Sequence, residues 1–293
     1  MYNETFQTSP PGSSAHFIYH TKKYVKNKNM LDLGCGSGRL CLYASKYAKH
    51  VTGIDYIDSA IDFSNKFAKM CKIKNVDFHV ADLDYFSKKK FDVITMSEVL
   101  QHVDKPLQTF KKCNKLLNKN GYFIVSIPSF NNFRGNIWMT LQSLFGLPMS
   151  LTDTYQLSYT DMNEMAQKSG FKLEKVVSTA WDWAWTEWSM DDLKRRVSLA
   201  AKDAKISKKT DFKVFNKWLD SNLIFNKQFL DYLLSKKIIQ KRPLKKLLNV
   251  PKPATKTEKK YLDDGNAKIN LYFSDIPPFN RMGEGAIYIM KKT

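Results

Sequence analysis

Met30-Leu31-Asp32-Leu33-Gly34-Cys35-Gly36-Ser37-Gly38-Arg39-Leu40 is the stretch that decides the fold. A short apolar run stops at a turn with glycine at alternate positions, and a helical pattern follows. This reads as strand, tight turn and helix N-terminus. Glycines let a ligand approach the backbone closely, and the first turn of a helix offers free N–H groups. Outward from this stretch the pattern repeats. Strand two is Val51–Ile54, ending on Asp55; strand three is Val76–Val80, ending at Ala81-Asp82. Strand four is Phe91–Met96, delivering Ser97-Glu98, and strand five is Tyr122–Pro128, with Gly121 as the stop of the preceding helix. Helical patterns separate the first three and the last two, including one that starts near Pro106. Such alternation predicts βαβ units in a mostly parallel sheet, with the strand tips along one edge. A ligand binds at that edge in such sheets.

Further along, Thr160 is expected to cap a short helix (Asp161–Ser169), and strand six is Phe171–Val177, extending into Trp181–Trp185 at period two. Ser189 and Asp192 read as a capping box that opens a helical region. Pro251–Lys260 reads as a linker, and Ala286–Met290 as a last, buried strand.

The bulk numbers exclude several classes. In 293 residues, 43% are hydrophobic, which suits a folded chain with a sizeable core. No apolar run reaches the length of a membrane span. Met1–Pro11 lacks an apolar signal region, so a cytoplasmic protein is expected. Cys35, Cys41, Cys71 and Cys113 lack paired spacing, so free thiols are expected and a zinc site is not. The net charge of +19 points either to an anionic partner or to lysines spread over solvated faces.

The strand tips narrow the ligand. Asp55 follows the glycine turn at the distance of a ribose-binding acid. The glycines, however, are spaced G-x-G-x-G rather than G-x-G-x-x-G, Asp32 sits inside strand one, and Asp82 can accept from an exocyclic amine. Taken together, Met30–Gly38, Ile54-Asp55, Ala81-Asp82, Phe91–Ile94 and Leu116–Tyr122 resemble the ordered motifs of class I S-adenosylmethionine-dependent methyltransferases. Ser97–Val103 is similar to a segment of the small-molecule subgroup that includes quinone-biosynthesis methyltransferases. The resemblance covers roughly residues 25–180 and the last strand.

It implies an α/β fold: a Rossmann-like, seven-stranded, mostly parallel sheet whose last strand is antiparallel, with a helical insertion between strands six and seven. The expected divisions are an N-terminal lid helix in 1–29, a methyltransferase domain in 30–188 and 281–293, and a basic helical insertion and linker in 189–280. The resemblance also implies S-adenosylmethionine as cofactor, held by Asp32, Gly34, Cys35, Gly36, Gly38, Asp55, Tyr56, Ile57, Asp82, Leu83 and Ser97. His102 is the candidate base for a hydroxyl acceptor. Asp153, Tyr155, His16 and His20 are candidates for the acceptor side. Quinone-type relatives carry an E-x-x-E-H pattern that can hold a cation, but Gln101 stands at its second acid, so no metal is expected.

The expected reaction is methyl transfer, at oxygen, to a small-molecule, lipid or glycan acceptor. The apolar stretch 137–151 and Trp181, Trp183, Trp185 and Trp188 suit such acceptors or the packing of the insert. Nucleic acid is disfavoured, because no base-methylation motif follows strand four and no Cys-Pro occurs. An RNA or protein acceptor held by the basic insert is one alternative. A cofactor-binding regulatory protein is another. Peripheral contact with an anionic membrane would also use the basic insert.

Overall fold

The computed structural model describes residues 13–82, 89–147, 155–206, 208, 211–244 and 269–293. Leu83, Asp153 and the expected linker lie outside them. The chain enters through α1 (Ser13–Val25), β1 (Asn29–Leu33) and α2 (Arg39–Ala44). Next come β2 (His50–Asp55), α3 (Asp58–Met70), β3 (Val76–Val80) and β4 (Phe91–Ser97). A 3-10 turn (Leu100–His102), α4 (Pro106–Leu116) and β5 (Leu117–Pro128) follow. Then come α5 (Phe133–Phe145), α6 (Tyr159–Lys168), β6 (Phe171–Thr179) and α7 (Trp181–Trp185). The last part holds α8 (Glu187–Asp203), α9 (Phe212–Ser235), β7 (Gln240–Pro243), β8 (Asn270–Ser274) and β9 (Gly285–Lys292).

The strands form one sheet in the order β3-β2-β1-β4-β5-β9-β6-β8-β7. The run from β3 to β5 is parallel. The last strand, β9, is antiparallel, as the family resemblance implies, and lies between β5 and β6. Strand residues alternate between two cores, because successive side chains point to opposite faces. Met30, Val51, Val93 and Ile124 meet α1, α2 and α3 on one face. Leu31, Ile94, Phe123 and Val125 meet Phe110 and Cys113 of α4 and Met162 of α6 on the other.

The structure corrects several expectations. The described sheet has nine strands, not seven, because the 189–280 region contributes β7 and β8 as well as helices. β8 pairs antiparallel with the end of β6, and β7 closes the edge. Gln240-Lys241-Arg242-Pro243 has no apolar alternation to betray a strand. Its charges and proline are what protects an open edge from further pairing. Trp181–Trp185 is a helical turn rather than an extension of β6. Ala180, at φ 52, turns the chain out of the strand, and Trp181 and Trp185 stack at helical spacing. Ser158, not Thr160, caps α6, in a capping box with Asp161. Ser189 lies inside α8, which begins at Glu187, and Asp192 is engaged by buried arginines instead of a cap. Gly121 sits within β5, which runs directly on from α4.

The 189–280 helices have their own core. Trp138 of α5 packs with Met190, Leu193 and Val197 of α8 and Leu219 of α9. Trp181 packs with Leu230 and Leu233 of α9 and with Ile239.

Candidate active site

The site begins where β1 stops. Gly34, Gly36 and Gly38 all have positive φ, at 68°, 51° and 73°. At Gly34 a side chain is excluded twice over. The backbone is left-handed, and a Cβ would lie 2.6 Å from Val99 Cγ2. At Gly36 a Cβ would meet nothing within 4 Å, so the turn faces open space there. The turn is tied to its neighbour by the backbone and by one carboxylate. Cys35 N–H donates to the Ile54 carbonyl at 2.9 Å. Gly36 N–H donates to Asp55 Oδ2 at 2.8 Å, and Ile57 N–H donates to Asp55 Oδ1 at 3.0 Å. Asp55 is buried, yet lone pairs remain on both oxygens for a ligand's hydroxyls.

The neighbouring tip is registered by Ala81 N–H, which donates to the Asp55 carbonyl at 3.0 Å and brings exposed Asp82 alongside. Tyr56 is 82% exposed and Ile57 is exposed too, an apolar ledge beside the acids. An open cradle over Gly36, two acids and an exposed aromatic ledge fit a ligand that carries a ribose and an adenine. Asp32 lies beneath the turn rather than facing that space. It is buried, accepts from the Thr95 hydroxyl at 2.6 Å and from the Cys41 thiol at 3.3 Å. Burial pushes its carboxyl up to about 6, against the pull of those two hydrogen bonds. Cys35 is half-buried in the turn.

The same edge continues past β4. Ser97 Oγ lies 3.2 Å from Ser126 Oγ, and Glu98 N–H donates to the Ser126 carbonyl at 3.1 Å. Glu98 itself is left-handed, at φ 57. Here a cavity of about 20 Å³, room for a single water, is lined by His16, Phe17, Glu98, Ser126, Thr179 and Glu284. His16 comes from α1, is 3% exposed, and its Nδ1 has no hydrogen-bond partner among the described residues. Burial, and then the nearby His20, lower its pKa to about 3, so the imidazole is neutral. Glu284 is held at the cavity wall by Arg134 Nη1 at 3.5 Å. Arg134 Nε reaches Asp192 of α8 at 2.8 Å, and Arg196 reaches the same carboxylate at 3.3 Å.

The other expected residues divide. His102 is exposed on the 3-10 turn after β4. Tyr155 is brought to that loop, its hydroxyl donating to the Asp104 carbonyl at 2.7 Å and its N–H to Gln101 O at 3.3 Å. His20 is not at the cavity. Its ring sits against Tyr19 and Phe273, its centroid 4.5 Å from that of the phenylalanine, and its buried Nε2 has no hydrogen-bond partner among the described residues. Sequence reasoning missed Glu284, Arg134 and Thr179. The one signal was Gly283-Glu284-Gly285, an acid between two glycines directly before a buried strand.

The methyltransferase-domain family matches residues 25–189. A ubiquinone biosynthesis O-methyltransferase of Coxiella burnetii is 29% identical over 155 residues, covering 51% of this chain and 65% of that protein. The protein of the same description from Pelagibacter ubique is 36% identical over 110 residues, covering 37% and 45%. The chain thus spans less than two thirds of the length of these relatives. A Thermotoga maritima SAM-dependent methyltransferase structure aligns with 96% of this chain and 89% of its own, at TM-score 0.53 and 13% identity, a likeness of fold. Because the matched span takes in the glycine turn and the tips of β1 through β6, the chain belongs to the methyltransferase-domain family.

Proposed function

We propose that the chain transfers the methyl group of S-adenosylmethionine to oxygen on a small-molecule, lipid or glycan acceptor. The observation that carries this reading is the Gly36 N–H on Asp55, which holds an open glycine cradle beside a ribose-type acid. When bound, S-adenosylmethionine supplies a methyl group already activated by its sulfonium, so the protein's work is chiefly positioning. Asp55 accepts the ribose hydroxyls, Asp82 accepts from the adenine amine, and Tyr56 and Ile57 cover the ring. Gly34, Cys35, Gly36, Gly38 and Ser97 border the methionyl part, and Asp32 sets the turn from below.

The acceptor lies over the tips of β4, β5, β9 and β6, against the cavity of His16, Glu98 and Glu284. That wall is rich in hydrogen-bond acceptors, which suits a hydroxyl donor. His102 takes the acceptor's proton, and Tyr155 steadies its loop. α1, which contributes His16, acts as the covering element of 1–29. The match to O-methyltransferases supports the choice of oxygen. Four free cysteines support a cytoplasmic setting, and no described helix is long and apolar enough to cross a membrane.

The test is production of S-adenosylhomocysteine from S-adenosylmethionine on addition of fractionated small-molecule and lipid extracts. Turnover with such a fraction, lost in Asp55→Ala and sharply lowered in His102→Ala, is the expected result. Turnover only with a ribonuclease-sensitive fraction would replace this reading with the RNA one.

A further inference from the structure

Helix α9 is apolar on two sides. One side is accounted for: Leu219, Leu230 and Leu233 are buried against α5, α8 and α7. The other is not. Val214, Trp218, Phe225 and Tyr232 are 64%, 46%, 62% and 55% exposed. Their spacings of four, seven and seven residues put them within about 40° of one another around the helix. They therefore line up along one strip of the helix about 27 Å long, with exposed Ser221 and Gln228 in the turns between Trp218, Phe225 and Tyr232. Ile224, about 100° around the helix from Phe225, is 66% exposed as well. Large apolar side chains exposed in line on one helix face mark a place for a partner.

The surroundings say what covers it. Residues 212–244 hold seven basic side chains (Lys213, Lys217, Lys227, Lys236, Lys237, Lys241 and Arg242) against two acids, Asp220 and Asp231. Lys213 and Lys217 flank the stripe near its start, and Lys236 and Lys237 follow its end. The Lys236 ammonium stands 5.7 Å from the Tyr232 ring centroid, carrying the charge along the stripe itself. The whole chain carries +19. Tryptophan, tyrosine and phenylalanine in line, with lysines whose stems can lie along the apolar surface, suit a lipid–water boundary. Basic residues near such a stripe are attracted to anionic headgroups.

We infer that the exposed face of α9 is a docking surface for an anionic lipid bilayer, with Val214, Trp218, Phe225 and Tyr232 entering the headgroup boundary. The helix lies flat in this arrangement, since nothing among the described helices can span. The inference stands on the helix alone and does not require the methyl-transfer reading, so either can fail without the other.

Flotation of the full chain with vesicles tests it. One set is phosphatidylcholine, the other phosphatidylcholine and phosphatidylglycerol in a three-to-one ratio. The chain should float with the anionic set, poorly with the neutral set, and progressively less as salt rises from about 0.1 M to about 1 M. Val214→Asp/Phe225→Asp should lower partitioning by at least about tenfold, since two large apolar groups no longer enter the boundary. Both positions are solvent-facing, so far-ultraviolet circular dichroism and thermal midpoint should match those of the parent chain. Three results overturn the inference. One is no flotation with anionic vesicles, and another is equal flotation of parent and variant. The third is a salt-resistant dimer in solution that the double variant splits, which would give the stripe to a second copy of the chain.

Discussion

The two halves of one sheet edge are built by different means. Over β1, β2 and β3, the geometry is made by backbone: glycines at positive φ, peptide N–H groups on Asp55, and registered strand tips. Over β4, β5, β9 and β6 it is made by side chains drawn from residues 16, 98, 126, 179 and 284, with a buried network of arginines and acids behind them. A backbone-built site binds the part of a reaction that never changes. A side-chain-built site can be altered one residue at a time, and this one reaches into the insert through Arg134 and Asp192. On the proposed reading, the difference makes donor binding and acceptor choice separable.

The sharpest way to break that comparison is Arg134→Met. The substitution leaves Asp192 and Glu284 without their nearest cation in a buried setting, so a loss of about 3 kcal/mol is expected by urea unfolding. Below the unfolding transition, S-adenosylmethionine affinity should stay at the parent value while turnover falls. Equal loss of both would mean that the halves are not separable.

The next effect separates two glycines within the donor half. Gly34→Ala forces a left-handed alanine against Val99 and should cost about 2 kcal/mol in stability. Gly36→Ala meets no protein atom, so the strain alone should cost about 1 kcal/mol. Its methyl group projects into the cradle, however, and S-adenosylmethionine binding should weaken more than stability does. Calorimetric titration beside thermal unfolding distinguishes the two.

The pH-dependent effect concerns the wall that holds His16. His16 has a folded pKa of about 3 against 6.5 when unfolded. Between those values the unfolded chain binds the extra proton, so stability rises with pH by about 1 kcal/mol per unit and levels off above the unfolded value. Asp32 works in the opposite direction: its folded value of about 6 lies above the unfolded 3.8, so its contribution falls as pH rises through that window. Comparing His16→Leu with the parent chain isolates the histidine. The stability difference between them should grow in the parent's favour from pH 4 to pH 6.5. A flat difference would mean that His16 is wet and titrates normally.

Legibility follows the same division. The glycine turn, Asp55 and Asp82 could be read because a parallel sheet aligns its tips in order, so neighbours in space recur at regular intervals along the chain. The antiparallel place of β9 came from the family resemblance, and the register agrees. Glu284 could not be read, because it reaches Glu98 and His16 only through the return of the last strand across the sheet. Asp192 looked like half of a capping box and Arg134 gave no signal, since burial leaves no local mark on a charged residue. β7 was invisible for a related reason: an edge strand is written in charge and proline, not in apolar alternation. The tryptophans at 181, 183 and 185 fit either period over so short a run, and only Ala180 decides between them.

The central claim is that Asp55 and the turn it holds form a site for S-adenosylmethionine. Isothermal titration of S-adenosylmethionine into the parent chain and into Asp55→Ala tests it directly. The account predicts one saturable site in the parent, and affinity at least about a hundredfold weaker in the variant, which loses a charged acceptor for the ribose and for Gly36 N–H. Parent-like affinity in a folded Asp55→Ala chain, or no binding to the parent at all, would contradict it.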